Sequence, residues 1–214
     1  MATIRQEYRK YLTDNFKGQK INKPLFFNGK IGLRFDLQVG DSGTDKYFAE
    51  VIRRSTSLFE SAFEPSDNLF IVFRDYRWKR RKIRFHNYCF KQIAGLKIDE
   101  IDYLKEKNIY EGSRDDVYNV ALLKLEVCRI NYKNILTAIA NTDFPPRQPR
   151  FKFLSDVEIY FINTDRNLIF HMYDDRGLDI IASEATTLQP LYKRFDDWIL
   201  EANRVEIDKI MTKT

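Results

Sequence analysis

Between Val157 and Ala182 three apolar runs alternate with two short polar turns. Val157–Asn163, Leu168–Tyr173 and Leu178–Ala182 are rich in Ile, Phe and Val, the residues that fit a pleated, half-buried surface. Thr164-Asp165-Arg166-Asn167 and Asp174-Asp175-Arg176-Gly177 separate them with turn residues. Such short connections only allow neighbouring antiparallel strands, so the spacing predicts a three-stranded meander. Gly177 is expected to supply a positive φ in the second turn. After the meander, Thr186 caps a long amphipathic helix. Leu188, Leu191, Tyr192, Phe195, Trp198, Ile199 and Ala202 form its apolar stripe.

The earlier chain follows the same logic. An opening helix spans about residues 2–14. Residues 31–38 place Ile31, Leu33, Phe35 and Leu37 on one face of a strand. Thr44 and Asp45 cap a helix whose stripe runs through Phe48, Val51, Ile52, Ser55, Leu58, Phe59 and Ala62. Leu69–Phe73 is an unbroken apolar run, the pattern of a buried strand. Residues 82–88 alternate again, and with 69–78 they read as the arms of a β-hairpin tipped by Lys79, Arg80 and Arg81. Residues 91–111 read as a polar, partly helical connection. Val117–Ile130 returns to strand chemistry, and 131–142 forms a short helix with Ile135, Ala138 and Ile139 buried. The expected class is α+β: a mixed or antiparallel sheet with packed helices, in one domain over 1–214. The proline-rich loop 143–150 is a candidate subdivision between an N-terminal lobe, 1–143, and a C-terminal lobe, 150–214.

Charge is concentrated in one place. Arg74–Arg84 contains seven Lys or Arg and one Asp, a local charge of +6, whereas the whole chain of 214 residues carries +5. The remainder is therefore near neutral. Arg77, Trp78, Lys79, Arg80, Arg81, Lys82 and Arg84 form a candidate anion-binding surface, since Arg forks match carboxylates and phosphates. A single focus fits an acidic protein or one or two phosphates better than a polynucleotide, whose backbone asks for an extended basic track. A solvated tip with no partner is the competing explanation.

Other chemistry is weaker. Asp174 and Asp175, near His171, could serve as acid and base or hold a metal, but adjacent Asp residues beside Arg176 are more simply a turn. Asp174, Asp175, Asp179, Asp196 and Asp197 would form an acidic patch if the meander and the last helix lie together. The stretch Gly40–Asp45 lacks a phosphate-loop pattern. His86 and His171 sit in expected strands without a nucleophile motif. Cys89 and Cys128 lie in apolar runs without metal-ligand spacing, which reads as buried free thiols in a reducing compartment. No catalytic residue, metal or cofactor is assigned. The charged N-terminus lacks a signal-peptide core, and no run reaches the ~18 apolar residues of a membrane span, so a cytoplasmic location and no membrane partner are expected.

The blocks GLRFDLQ, LFIVFRDYRWKRRKIRF, NILTAIANTDFPPRQPRF, YFINTDRNLIFHMYDDRGLDIIA and LYKRFDDWIL together resemble an uncharacterised family of Gram-positive bacterial proteins, catalogued as a domain of unknown function. The resemblance covers about residues 30–210. Members of that family tend to be encoded near polymorphic toxins. The resemblance thus implies a cytoplasmic immunity protein that binds a cognate toxin domain without catalysis. It assigns no residue a role. A nucleic-acid or nucleotide-binding protein using 74–84, and an enzyme built around 171–179, are the alternatives.

Overall fold

The apolar run at Leu69 lies in a nine-residue strand, and its burial on both faces follows from its position in the centre of the sheet. The computed structural model describes residues 2–19, 21–76, 83–107, 117–151 and 156–212. Its helices are α1 (Ile4–Phe16), α2 (Leu25–Asn28), α3 (Asp45–Ala62), α4 (Tyr132–Ala140), α5 (Ala185–Arg194) and α6 (Arg204–Met211). Its strands are β1 (Gly32–Asp36), β2 (Asn68–Tyr76), β3 (Ile101–Lys107), β4 (Val117–Glu126), β5 (Asp156–Asn163), β6 (Leu168–Met172) and β7 (Gly177–Ala182). All seven strands join one sheet in the order β1-β7-β6-β5-β2-β4-β3, and every pairing is antiparallel. The fold is α+β.

Strand alternation sorts the side chains into two cores. Leu33, Phe35, Ile71, Phe161, Phe170 and Ile180 point to the larger core, under α3, α4, α5 and α6. Phe70, Val72, Leu122, Tyr160, Ile162 and Ile169 point to the smaller, under α1. Thr3 and Gln6 cap α1 reciprocally, each side chain accepting the other's backbone N–H. The Thr44 hydroxyl accepts from the Tyr47 N–H at the start of α3, as its sequence predicts. Strands from both sides of the proline-rich loop pair directly: β1 with β7, and β2 with β5.

The meander forms as expected, with Phe170 between Phe161 and Ile180. Gly177 has another role than positive φ, which occurs in this chain's glycines only at Gly18, Gly40 and Gly95 among the described residues. A Cβ on Gly177 would run into the Tyr173 hydroxyl and lie 2.7 Å from the Phe35 carbonyl oxygen. Glycine is needed there so that β1 and Tyr173 can close over β7.

Three expectations are corrected. β2 does not form a hairpin with 83–88, and Lys82 lies outside the described residues. The two edges of β2 are taken by β4 and β5, and residues 83–88 lie in turns, with the Asn87 N–H donating to the Arg84 carbonyl. A strand apolar on both faces is best satisfied between two long neighbours. Residues 101–107 are the edge strand β3, not a helix-like connection: seven residues paired to β4 outweigh the helical propensity of Leu, Lys and Glu. The helix after the meander ends at Arg194. The chain then makes two short 3₁₀ turns before α6. This break lets Ile199 bridge to Phe35 and the Leu200 N–H donate to the Arg34 carbonyl at 2.8 Å, covering the outer backbone of β1.

Candidate functional site

A row of charged and hydroxyl-bearing side chains crosses the α1 face of the sheet, where the strand pattern otherwise demands apolar groups. Register creates it. Arg34 lies opposite Asp179 and Asp179 opposite His171. The His171 ring stacks on Tyr160, with centroids 4.1 Å apart. Farther along β5, Glu158 lies opposite Arg74. Beyond it come Tyr118 and Glu106, themselves a register pair.

Glu158 is 2 % exposed, and its charge is held from several sides. The hydroxyls of Tyr160 and Tyr118 donate to it at 2.8 and 3.3 Å. Arg74 stands 3.6 Å away and Lys23 3.5 Å. Arg74 also bonds Glu106 at 2.6 Å and reaches the Ile21 carbonyl oxygen. This cluster ties the Ile21–Lys23 segment to the sheet.

At the other end, Asp179 is fully buried. It accepts from the Phe26 N–H at 3.0 Å, and Arg34 lies 3.4 Å from its second oxygen. Arg34 is itself sandwiched between the Phe27 and Tyr173 rings, at 5.2 and 5.3 Å. Burial outweighs these partners and pushes the Asp179 carboxyl up to about 6. Between about pH 4 and pH 6 the folded chain therefore binds a proton here that the unfolded chain has released. The contribution of this group to stability is greatest below the ordinary carboxylate range and falls as pH rises through 6. Asp179→Asn should flatten that part of the stability curve, measured by urea unfolding at pH 4.5, 5.5 and 7. An unchanged slope would contradict this assignment.

His171 is buried beside it. Its Nδ1 lies 2.9 Å from the Ile159 carbonyl, so Nδ1 carries the proton. Burial lowers its pKa to about 4, which keeps the ring neutral. Nε2 has no hydrogen-bond partner among the described residues. The expected association of His171 with Asp175 does not form. Asp175 instead accepts a 2.5 Å hydrogen bond from the Tyr47 hydroxyl, in the larger core on the opposite face.

The acidic patch is also not assembled. Asp179 and Asp175 are buried, and Asp174 is engaged by Arg176 at 2.5 Å. Asp196 pairs with Arg204 at 2.9 Å, and both Asp196 and Asp197 are exposed. The strand alternation that makes Asp179 polar on paper turns it inward.

The basic stretch divides as well. Arg74 is a structural ion pair, and its neighbour Asp75 is buried. Arg84 is exposed, in the turn after Ile83. Arg77, Trp78, Lys79, Arg80, Arg81 and Lys82 lie outside the described residues. Of the cysteines, Cys89 is buried, its thiol pushed up to about 12, but Cys128 is exposed; both are free. Among the described residues no group of His, Cys, Asp or Glu side chains is placed to hold a metal. No helix among them is long and apolar enough to cross a membrane.

One outward-facing feature was not expected from the sequence. A cavity of about 640 Å³ follows the β3 edge, lined by Arg5, Arg9, Phe85, Ile98, Tyr103 and Lys105 among others. The sequence holds one hint of it: Ile101 and Tyr103 alternate with Asp102 and Leu104 in a segment otherwise dominated by charge.

A relative of the chain extends over most of its length. The chain is 25% identical to "Uncharacterized protein YnaE" of Bacillus subtilis (strain 168), over 89% of this chain and 96% of that protein. No solved structure matches it significantly. The family model described as "Domain of unknown function (DUF3885)" matches residues 8–203. From the first core residue of α1 to the turn before α6, the chain belongs to the DUF3885 family.

Proposed function

We propose that this chain is a non-enzymatic binding protein of the bacterial cytoplasm that neutralises a cognate polymorphic toxin by holding it. One observation carries this reading: an apolar, cation-rimmed cavity faces outward, whereas the polar row of the sheet faces inward. His171, Glu158, Asp175 and Asp179 are buried and committed to internal partners. The cavity mixes aromatic anchors with Arg, the combination that dominates binding energy at protein interfaces. Tyr103 and Ile98 on its wall are 41 % and 66 % exposed. The basic excess of 77–84 adds a field that would steer an acidic partner.

Co-expression with the toxin domain encoded beside this gene tests the reading. Growth rescue and co-purification are expected. The double charge reversal Arg80→Glu/Arg81→Glu should slow association by about tenfold at low salt, with a smaller effect at high salt. Absence of both rescue and co-purification would overturn the proposal. Low-salt binding of RNA or DNA with a steep salt slope would favour the nucleic-acid alternative instead.

A further inference from the structure

We propose that the open edge of β3 is the docking site, and that its occupant is an extended segment of a partner protein in which acidic and apolar side chains alternate. This rests on the binding-protein reading and names its site. The Asn68 carbonyl accepts from Thr164, on the β5 side of β2. Even-numbered residues of β2 therefore bond β5, and odd-numbered ones bond β4. Following the register outward, Asp102, Leu104 and Glu106 bond β4. Tyr103 and Lys105 then direct their N–H and C=O groups away from the sheet. The Arg5 guanidinium takes the Tyr103 carbonyl at 2.8 Å. The Tyr103 N–H and both backbone groups of Lys105 have no hydrogen-bond partner among the described residues. The opposite edge of the sheet, β1, is by contrast closed by Ile199 and Leu200.

The side chains then specify what fits. Residues from both faces of the sheet along this edge line the cavity. On the larger-core side its wall is mostly apolar or aromatic, from Ile83, Phe85, Ile98 and Tyr103, with Lys105 and Asn119 beside them. On the α1 side stand Arg5 and Arg9 with Leu104. No carboxylate lines it among the described residues. The two acids of β3 on that side, Asp102 and Glu106, are already paired with Arg5 and Arg74. Arg9 forms no ion pair among the described residues. A strand added here sends alternate side chains to the two faces, so one set meets apolar walls and the other meets cations.

The test uses the full chain and a short synthetic peptide alternating Glu with Phe and Val, followed by fluorescence anisotropy. Wild type should bind it, and should not bind the same peptide with Lys in place of Glu. Lys105→Pro removes an outward N–H without touching the β4 ladder, a change edge strands tolerate. It should weaken binding by about tenfold or more, while Lys105→Ala, which loses only the charge, should lose no more than about threefold. Circular dichroism verifies that both variants are folded. Equal binding by Lys105→Pro and wild type, equal losses in the two variants, or no binding by wild type would each overturn the site. So would self-association of wild type abolished by Lys105→Pro, which would make a second copy the occupant. The two proposals fail separately. Lost rescue with intact, proline-sensitive peptide binding removes only the toxin reading. Intact rescue with proline-insensitive binding removes only the β3 site.

Discussion

Replacing Arg74 with methionine should lower the melting temperature by roughly 10 °C, read by circular dichroism at 222 nm. Arg74 is 5 % exposed and faces Glu158, which is 2 % exposed. Removing the cation leaves a buried carboxylate that, among the described residues, keeps Lys23 and two phenols, and breaking one side of a buried pair costs about 3–5 kcal/mol. Lys23 partly compensates, which places the loss toward the lower end. At about 2–4 °C per kcal/mol for a domain of this size, that is the stated shift. Methionine keeps most of the arginine stem packed against Tyr160, whose ring lies 5.3 Å beneath the guanidinium. The loss therefore reports charge more than volume. The double variant Arg74→Met/Glu158→Gln should lose less than the sum of the two single changes, because neither partner is left ionised and alone. A shift under about 2 °C in Arg74→Met would show that the pair contributes nothing to the fold.

Phe59→Ala should be comparably damaging, at about 3–5 kcal/mol, by a different mechanism. Phe59 lies on α3 between Phe63 and Tyr132, each stacked at 4.3 Å. It meets Phe161 and Phe170 edge-on, at 5.2 and 5.3 Å. Five rings from α3 and the residue that ends it, α4 and two strands share this contact, so truncation opens a cavity that no single neighbour can fill. In urea the midpoint should fall with an unchanged m-value. Phe59→Leu should cost under half as much, since it keeps most of the volume while losing the ring geometry. Equal losses in the two variants would mean that aromatic geometry, not volume, holds this part of the core.

Much of the fold was readable because the residues themselves repeat. Val157–Ala182 alternates strands and turns, and α3 carries a stripe from Phe48 to Ala62 under a Thr44 cap; both appear where expected. The edge strand β3 was not readable, because an edge has no second neighbour and its charges resemble those of an exposed helix. The 69–88 hairpin misled for the opposite reason. Two nearby β-rich segments look like partners, yet β2 satisfies both its edges with strands that begin beyond residue 116. The candidate site divides along the same line. Asp175 and Asp179 read as surface charge, but strand register turns Asp179 inward against Phe26, and the turn before β7 puts Asp175 against Tyr47.

By itself the sequence determined the α+β class, most of the helices and strands, and the concentration of charge at 74–84. These are local properties: periodicity, turn chemistry and composition are properties of neighbouring residues. Only the tertiary structure decided the strand order, and with it which charges are internal. Arg74 is a core residue and Arg84 a surface one although both belong to the same basic run. The difference arises because Arg74 is still inside the central strand, where every side chain faces a packed layer. The edge of β3 emerges at the same level: among the described residues no strand pairs with its outer side, and no stretch of sequence contains that information.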